Sequence, residues 1–278
     1  MSWSDKIFTG DDEQEPEFTI IYGPPGAGKT SAAISYPDSV VIPIEQGLQA
    51  YPKQPRYPQP EKWEDLEGML ADVGNQAIKG KFQHKSLVLD TLDAAEELAQ
   101  RWTCLHNFTG KVWASLESPG YGKGDLALIQ TWRRLIPLFS PIIRGGVNLI
   151  LCAHAEARLF RNPEGADFER FSMKLPKKVG PLFFERASDV YFLRHDYSVS
   201  TEDQGFGKKK ATGQSMFGDK RVAHTIWDAA HDAKHRIRLP SKLYVPDPSS
   251  GKTFYDALCA ARVEMREKPA LAEGDAEA

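Results

Sequence analysis

The stretch Gly23-Pro24-Pro25-Gly26-Ala27-Gly28-Lys29-Thr30 meets G-x-x-x-x-G-K-[ST] at every fixed position. Phe18-Thr19-Ile20-Ile21-Tyr22 precedes it, a β-branched and aromatic run that predicts a buried strand. Ser31-Ala32-Ala33-Ile34-Ser35 follows and predicts the first turn of a helix. That order has a physical reason. Successive backbone N–H groups of the loop wrap a phosphate, and the next helix points its positive end at the same anion. Gly23, Gly26 and Gly28 let the backbone approach closely, Lys29 reaches the β- and γ-phosphates, and the Thr30 hydroxyl ligates Mg²⁺. Gly23, Pro24, Pro25, Gly26, Ala27, Gly28, Lys29, Thr30 and Ser31 are therefore the expected nucleotide cradle. The motif predicts a nucleoside triphosphate such as ATP, with Mg²⁺, and leaves its use open.

The bulk composition narrows the setting. The chain has 278 residues, 41% of them hydrophobic and 26% charged, enough for one large α/β domain or one domain with an appendage, with a buried core. No apolar run approaches the ~18 residues of a membrane span, and no membrane partner is expected. The first residues lack a basic and then apolar leader. Cys104, Cys152 and Cys259 are odd in number and far apart, which suits a reducing cytoplasm rather than a disulfide framework. Cys152 sits in an apolar run and is expected in the core. Net charge is −3, so nucleic acid would need local basic patches.

Along the chain, residues 1–17 are polar and acidic and predict a flexible arm, while 268–278 predict a disordered acidic tail. Between them, 18–267 read as a single domain. Strands alternate with helical patterns, which predicts a mostly parallel central sheet flanked by helices, with a β-rich carboxyl-terminal part. The apolar, β-branched run in Ser39 to Gly47 predicts the second strand, and Pro43 argues that it is imperfect or near an edge. Glu45 falls at its end, where an open α/β sheet has its ligand crevice. It is either a solvated loop residue or a carboxylate that positions water beside the γ-phosphate. Trp63, Leu66, Met69, Leu70, Val73 and Ala77 recur at helical spacing and predict a helix over 62–79.

Ser86-Leu87-Val88-Leu89-Asp90-Thr91 is an apolar strand ending in Asp, the usual partner of such a phosphate loop. Asp90 is expected to hold Mg²⁺ through a coordinated water, alongside Thr30. Asp93 is a competing carboxylate and is assigned to the first turn of the next helix, from about Leu92 to Phe108, where negative charge is favoured. Residues 118–124, with three glycines, Tyr121 and Lys123, form either a connector or a loop that contacts bases and backbone. A helix bent at Pro137 and Pro141 is predicted over Leu126 to Ile143, stopping at Gly145-Gly146. Val147 to His154 predict a buried strand. His154 is either a hydrogen-bonded core residue or a sensor of the γ-phosphate. Residues 156–178 mix cations with Phe160, Phe168 and Phe171 and predict a flexible loop, solvated or strand-contacting. A polar insertion over 196–220 includes Lys208-Lys209-Lys210 and predicts a solvated hairpin. Val222 to Trp227 predict a strand. Lys234 and Arg236, two apart in an extended segment, point the same way. They are either an exposed basic strand or a pair that clamps a neighbouring subunit's phosphate. A helix from Phe254 closes the chain.

This order of elements resembles the RecA-like P-loop NTPase core. Asp90 followed by Thr91 looks like the RecA class and unlike AAA+ proteins, which carry Asp-Glu. The stretches "GYGKG" from Gly120, "LCAHAEA" from Leu151, "ASDVYFLRHD" from Ala187 and "AKHRIRLP" from Ala233 resemble the shortened RecA-like ATPases of bacteriophages, linked to single-strand annealing and recombination. The likeness covers about residues 18–245. It implies an Mg²⁺-dependent ATPase in the cytoplasm of an infected bacterial host, with Glu45 as the catalytic glutamate and His154 as the polar sensor. It implies Lys234 and Arg236 as an intersubunit finger pair in a self-associating protein. It places 118–124 and 156–178 at the two loops that meet single-stranded DNA, with a single-strand binding protein as a further partner. Two rival readings remain at this point: a nucleotide-dependent protein assembly switch that does not bind DNA, and a small-molecule kinase.

Overall fold

The computed structural model describes residues 15–203, 209–215 and 220–267. Its elements run β1 (Phe18–Gly23), α1 (Lys29–Ile34), β2 (Ser39–Pro43), α2 (Trp63–Ile78), β3 (Ser86–Asp90), α3 (Leu92–Leu105), α4 (Lys123–Arg133), α5 (Ile136–Arg144), β4 (Asn148–Phe160), β5 (Phe168–Met173), α6 (Gly180–Phe184), β6 (Asp189–His195), β7 (Tyr197–Asp203), β8 (Lys209–Ser215), β9 (Arg221–His224), β10 (Lys242–Tyr244) and α7 (Phe254–Glu267). The central sheet has the order β10-β9-β6-β1-β4-β3-β2, with β5 paired to β4. Strands β6, β1, β4, β3 and β2 are mutually parallel, while β9 and β10 add antiparallel strands at one edge. The β-rich carboxyl-terminal part is thus in place, and the mixed α/β architecture with a mostly parallel sheet is the one expected. Strand β2, with Pro43, is the far edge, the position a proline tolerates.

Both faces of the parallel strands are covered, so these strands read as continuous apolar runs. Alternation then sorts the side chains. Ile20, Tyr22, Ile42, Leu87, Leu89, Leu149 and Leu151 point to the side of α2, α3, α4 and α5. Ile21, Val41, Val88, Ile150 and Cys152 point to the side of α1 and α7. Cys152 is fully buried, as expected of a small core residue. The helical layer is fixed by aromatics: Trp132 meets Trp63 and Phe183 edge-on, at 5.2 and 5.3 Å between ring centroids. Each buried indole also donates a hydrogen bond, Trp63 to Glu67 and Trp132 to Glu96.

Three segments differ from expectation. The bent helix over Leu126 to Ile143 is two helices, α4 and α5, because Pro137 cannot donate to the carbonyl of Arg133 and its ring excludes a continuous turn there. The predicted helix beyond Leu92 stops at Leu105, before Phe108. The segment 156–178 is not a loop throughout. Strand β4 runs on to Phe160, and β5 returns antiparallel to it, with Phe160 opposite Phe168 at 5.1 Å between rings. The turn at 162–165 closes this hairpin, and the facing aromatics stabilise it. Within the 196–220 insertion, β7 and β8 pair antiparallel, while 204–208, with Lys208, and 216–219 lie outside the described residues. Of the predicted arm and tail, 1–14 and 268–278 also lie outside them.

Glu17, the last residue of the predicted arm, is buried. Its carboxylate pairs with Arg262 of α7 at 2.7 Å, and Arg262 also reaches Asp189 at 3.4 Å. All three side chains are buried, so the charges need one another. Burial, together with Glu17, pushes the Asp189 carboxyl up to about 6. Among the described residues no helix is long and apolar enough to cross a membrane. Arg262→Ala leaves two carboxylates buried without their cation and is expected to cost about 3–5 kcal/mol in urea unfolding. A loss below about 1 kcal/mol would show that the triad is not holding α7 to the sheet.

Candidate functional site: the phosphate loop and three strand ends

The site is built where β1 ends. Gly23 packs against the Leu193 carbonyl of β6, where any side chain would collide. Gly28 sits at φ +90 and forms the amino-terminal cap position of α1, a conformation that only glycine adopts freely. The Lys29 side chain curls back along the loop, and its Nζ donates to the Pro24 carbonyl at 3.1 Å. Burial lowers the Lys29 ammonium from its ordinary value, and Asp90, Asp93 and Glu45 are close enough to oppose that.

The register of the sheet brings the other groups to the same edge. Gly23 aligns with His154, and Pro43 aligns with Asp90. Thr30 Oγ1 donates to Asp90 Oδ2 at 2.7 Å. Asp90 Oδ1 is buried without a hydrogen-bond partner among the described residues. A buried carboxylate oxygen with no donor asks for one, and a hydroxyl beside a carboxylate is the hard oxygen set that Mg²⁺ or its waters accept. The residues therefore fit the ion expected from the sequence. Burial raises the Asp90 carboxyl. Glu45 lies two residues beyond β2, and its N–H donates to the Asp90 carbonyl at 3.2 Å. Burial raises its carboxyl, and the Asp90 charge adds to that.

His154 is held twice by one carboxylate. Its backbone N–H donates to Asp93 Oδ1 at 2.8 Å, and its Nδ1 lies 2.8 Å from Asp93 Oδ2. Burial alone would raise the Asp93 carboxyl, but the His154 bonds outweigh it and hold Asp93 below its usual value. An ionised carboxylate only accepts, so the Nδ1 carries the proton and Nε2 is the free ring nitrogen. Ligand atoms of Glu45, Asp93 and His154 all lie within 4.8 Å of one another, a set whose donor types could also hold a metal ion. Beside them opens a cleft of about 610 Å³ with Glu45, Asp93, Arg101 and Lys174 on its walls.

Sequence reasoning placed Lys29, Thr30, Asp90, Glu45 and His154 where the structure brings them together. It treated Asp93 only as a helix-terminal charge; its role depends on β4 lying beside β3, which no local pattern announces. Arg221 was missed altogether. It opens β9, and its guanidinium carbon would lie 3.4 Å from a methyl group built on Gly28. Lys234 and Arg236 are elsewhere. Lys234 is bridged through its backbone to Val190, which aligns with Ile20, three residues before Gly23. Its Nζ lies 4.9 Å over the Phe184 ring, and Arg236 is exposed. The structure does not bring this pair to the chain's own loop.

Thr91 caps α3 by accepting from Ala94 N at 3.4 Å, so the position after Asp90 serves the helix. A family model described as an AAA domain matches residues 16–237. The contrast drawn from Thr91 thus does not set the chain apart from families bearing that description. No curated protein matches the chain. The match spans β1 through the strand-like segment after β9 and takes in every residue of the loop and of the three strand ends, so the chain belongs to the AAA domain family and is a P-loop domain of ATPase type.

Proposed function

We propose that this protein is a Mg²⁺-dependent ATPase of RecA-like type that acts on single-stranded DNA in phage recombination, annealing or replication. The observation that carries the ATPase half is the convergence of Lys29, Asp90, Glu45 and His154 on one end of the sheet. Lys29 meets the β- and γ-phosphates. Thr30 and Asp90 hold Mg²⁺, which neutralises charge on the phosphates when bound. Glu45, with its carboxyl raised by burial, orients the attacking water and takes its proton. Asp93 fixes the His154 ring so that Nε2 faces the reacting end of the triphosphate. The RecA-like choice rests on Glu45: the carboxylate comes from the neighbouring strand's end, two residues beyond β2. Lys234 and Arg236 lie away from this chain's own loop, as a pair offered to a second copy in an oligomer would.

The DNA half rests on β4. The same strand carries His154 and, a few residues on, Arg158 and Phe160. Its return strand is tied to the same point, since Lys174 N donates to the His154 carbonyl at 2.8 Å. The hairpin opens a cleft of about 440 Å³ lined by Arg158, Phe160, Arg170, Lys177, Phe184 and Asp232, in which Arg170 pairs with Asp232 at 2.6 Å and Arg158 pairs with Glu156 beside it. Arg170 Nε and Ser172 Oγ are buried there without a hydrogen-bond partner among the described residues. Cations beside aromatic faces suit a phosphate backbone and stacked bases. Tyr121, in 118–124, is 99% exposed. Nucleotide state at His154 would thus reach the hairpin directly through β4.

Glu45→Gln is expected to reduce ATP turnover about a hundredfold or more with ATP affinity kept, and near-normal turnover would remove Glu45 from the chemistry. In Asp93→Asn the new amide would face Nδ1 and force the ring proton onto Nε2. Turnover should then fall about a hundredfold, with ATP affinity within about threefold; unchanged turnover would make the Asp93–His154 contact purely structural. Single-stranded DNA should accelerate ATP turnover, and its binding should weaken by about tenfold or more between 50 and 200 mM salt. Neither stimulation nor binding at low salt would leave an ATPase without the DNA role.

A further inference from the structure

Arg221 lies against the phosphate loop with no hydrogen bond or ion pair to its guanidinium among the described residues. Its backbone is fixed from both sides: His195 of β6 is its register partner, and Val245 N donates to its carbonyl at 2.9 Å. Strand β6 in turn lies beside β1 at the end where the loop begins, so the start of β9 stands at the phosphate-loop edge of the sheet. From there the side chain crosses to Gly28, where its Cδ and guanidinium carbon would lie 3.5 and 3.4 Å from an added methyl, and Nη1 would collide with it. Glycine at 28 therefore does two things. It takes the φ of +90 that the loop needs, and it leaves room for a guanidinium at the amino end of α1. Asp247 is near enough to feel its charge, and the Ser249 N–H and hydroxyl both bond its Oδ1, at 2.8 and 2.6 Å, but no hydrogen bond or ion pair joins it to Arg221 among the described residues.

A planar five-donor fork held at the rim of a phosphate cradle, with no carboxylate bonded to it among the described residues, is matched to a phosphate oxygen. We infer that Arg221 is a nucleotide-contacting residue supplied by the same chain, whose guanidinium closes on the phosphates of the bound nucleotide. The inference rests on the nucleotide reading of Gly23–Thr30 and adds a contact about which that motif is silent. It also separates two cations. Lys29 belongs to the loop itself, while Arg221 comes from β9 at the antiparallel edge of the sheet.

The test is calorimetric titration of the full chain, with Mg²⁺, by ATP, ADP and inorganic tripolyphosphate. The variants are Arg221→Met, which keeps the apolar stem, and Arg221→Lys, which keeps the charge but not the fork. Arg221→Met is expected to weaken all three ligands about ten- to a hundredfold, the worth of a charge-assisted hydrogen bond, and Arg221→Lys to recover part of that. Equal melting temperatures without ligand would show both variants folded; if Arg221→Met melts early, the Arg221→Lys titration decides, and affinity equal to wild type overturns the fork contact. Affinity within twofold of wild type in Arg221→Met overturns the inference. A loss seen with ATP and ADP but not with tripolyphosphate also overturns it, because the contact would then be to the nucleoside. If the unaltered chain binds none of the three, the nucleotide reading itself has failed, before Arg221 is touched.

Discussion

The carbonyl oxygen of Asp90 receives two backbone N–H groups, from Ile44 at 2.7 Å and from Glu45 at 3.2 Å. Much of the site depends on this clamp. Strand β2 has already ended at Pro43, and without the clamp Glu45 would belong to a free loop. With it, one carboxylate is suspended over another at the end of a fully buried strand. Both are driven toward their neutral forms by burial, and the buried Lys29 is driven the same way. Such an assembly is poorly satisfied by itself. A polyanion and a divalent cation would supply what it lacks: negative charge for Lys29 and a donor or metal for the orphaned Asp90 oxygen.

A third carboxylate, Asp93, solves a different problem. His154 continues a strand whose preceding residues are core, and its ring could have rotated into several positions. Two hydrogen bonds from one side chain fix both the backbone and the ring. That arrangement also ties the nucleotide end of β4 to the hairpin that follows, because β4 does not stop at the site but runs through it. Strand ends and strand continuation thus give the protein two kinds of position: groups fixed at the edge of the sheet and a strand that leads on from them into the hairpin.

Much of this was legible in the chain because it is local. The phosphate loop is a contiguous motif between a strand and a helix, and Asp90 and His154 each close an apolar run, so their ends of the sheet could be inferred from alternation and length. The break between α4 and α5 is half legible: both prolines are plain in the sequence, but Pro137 ends a helix and begins the next while Pro141 is carried inside α5. The hairpin β4–β5 was taken for a loop because cations obscure its alternation, although facing phenylalanines around the turn at 162–165 are its signature. Asp93 and Arg221 were illegible for a common reason. Each matters through a partner placed by sheet order, β3 beside β4 for one and β6 beside β9 for the other, and sheet order is not written in any window of sequence.

The account stands on three strand ends meeting at one triphosphate. A crystal structure with Mg²⁺ and a non-hydrolysable ATP analogue tests this most directly. The account predicts the γ-phosphate between Lys29 Nζ and the Glu45 carboxylate, with His154 Nε2 turned toward it and Asp90 on the side of the metal. A nucleotide bound away from the glycine-rich turn, or one whose γ-phosphate leaves Glu45 and His154 facing solvent, would contradict it.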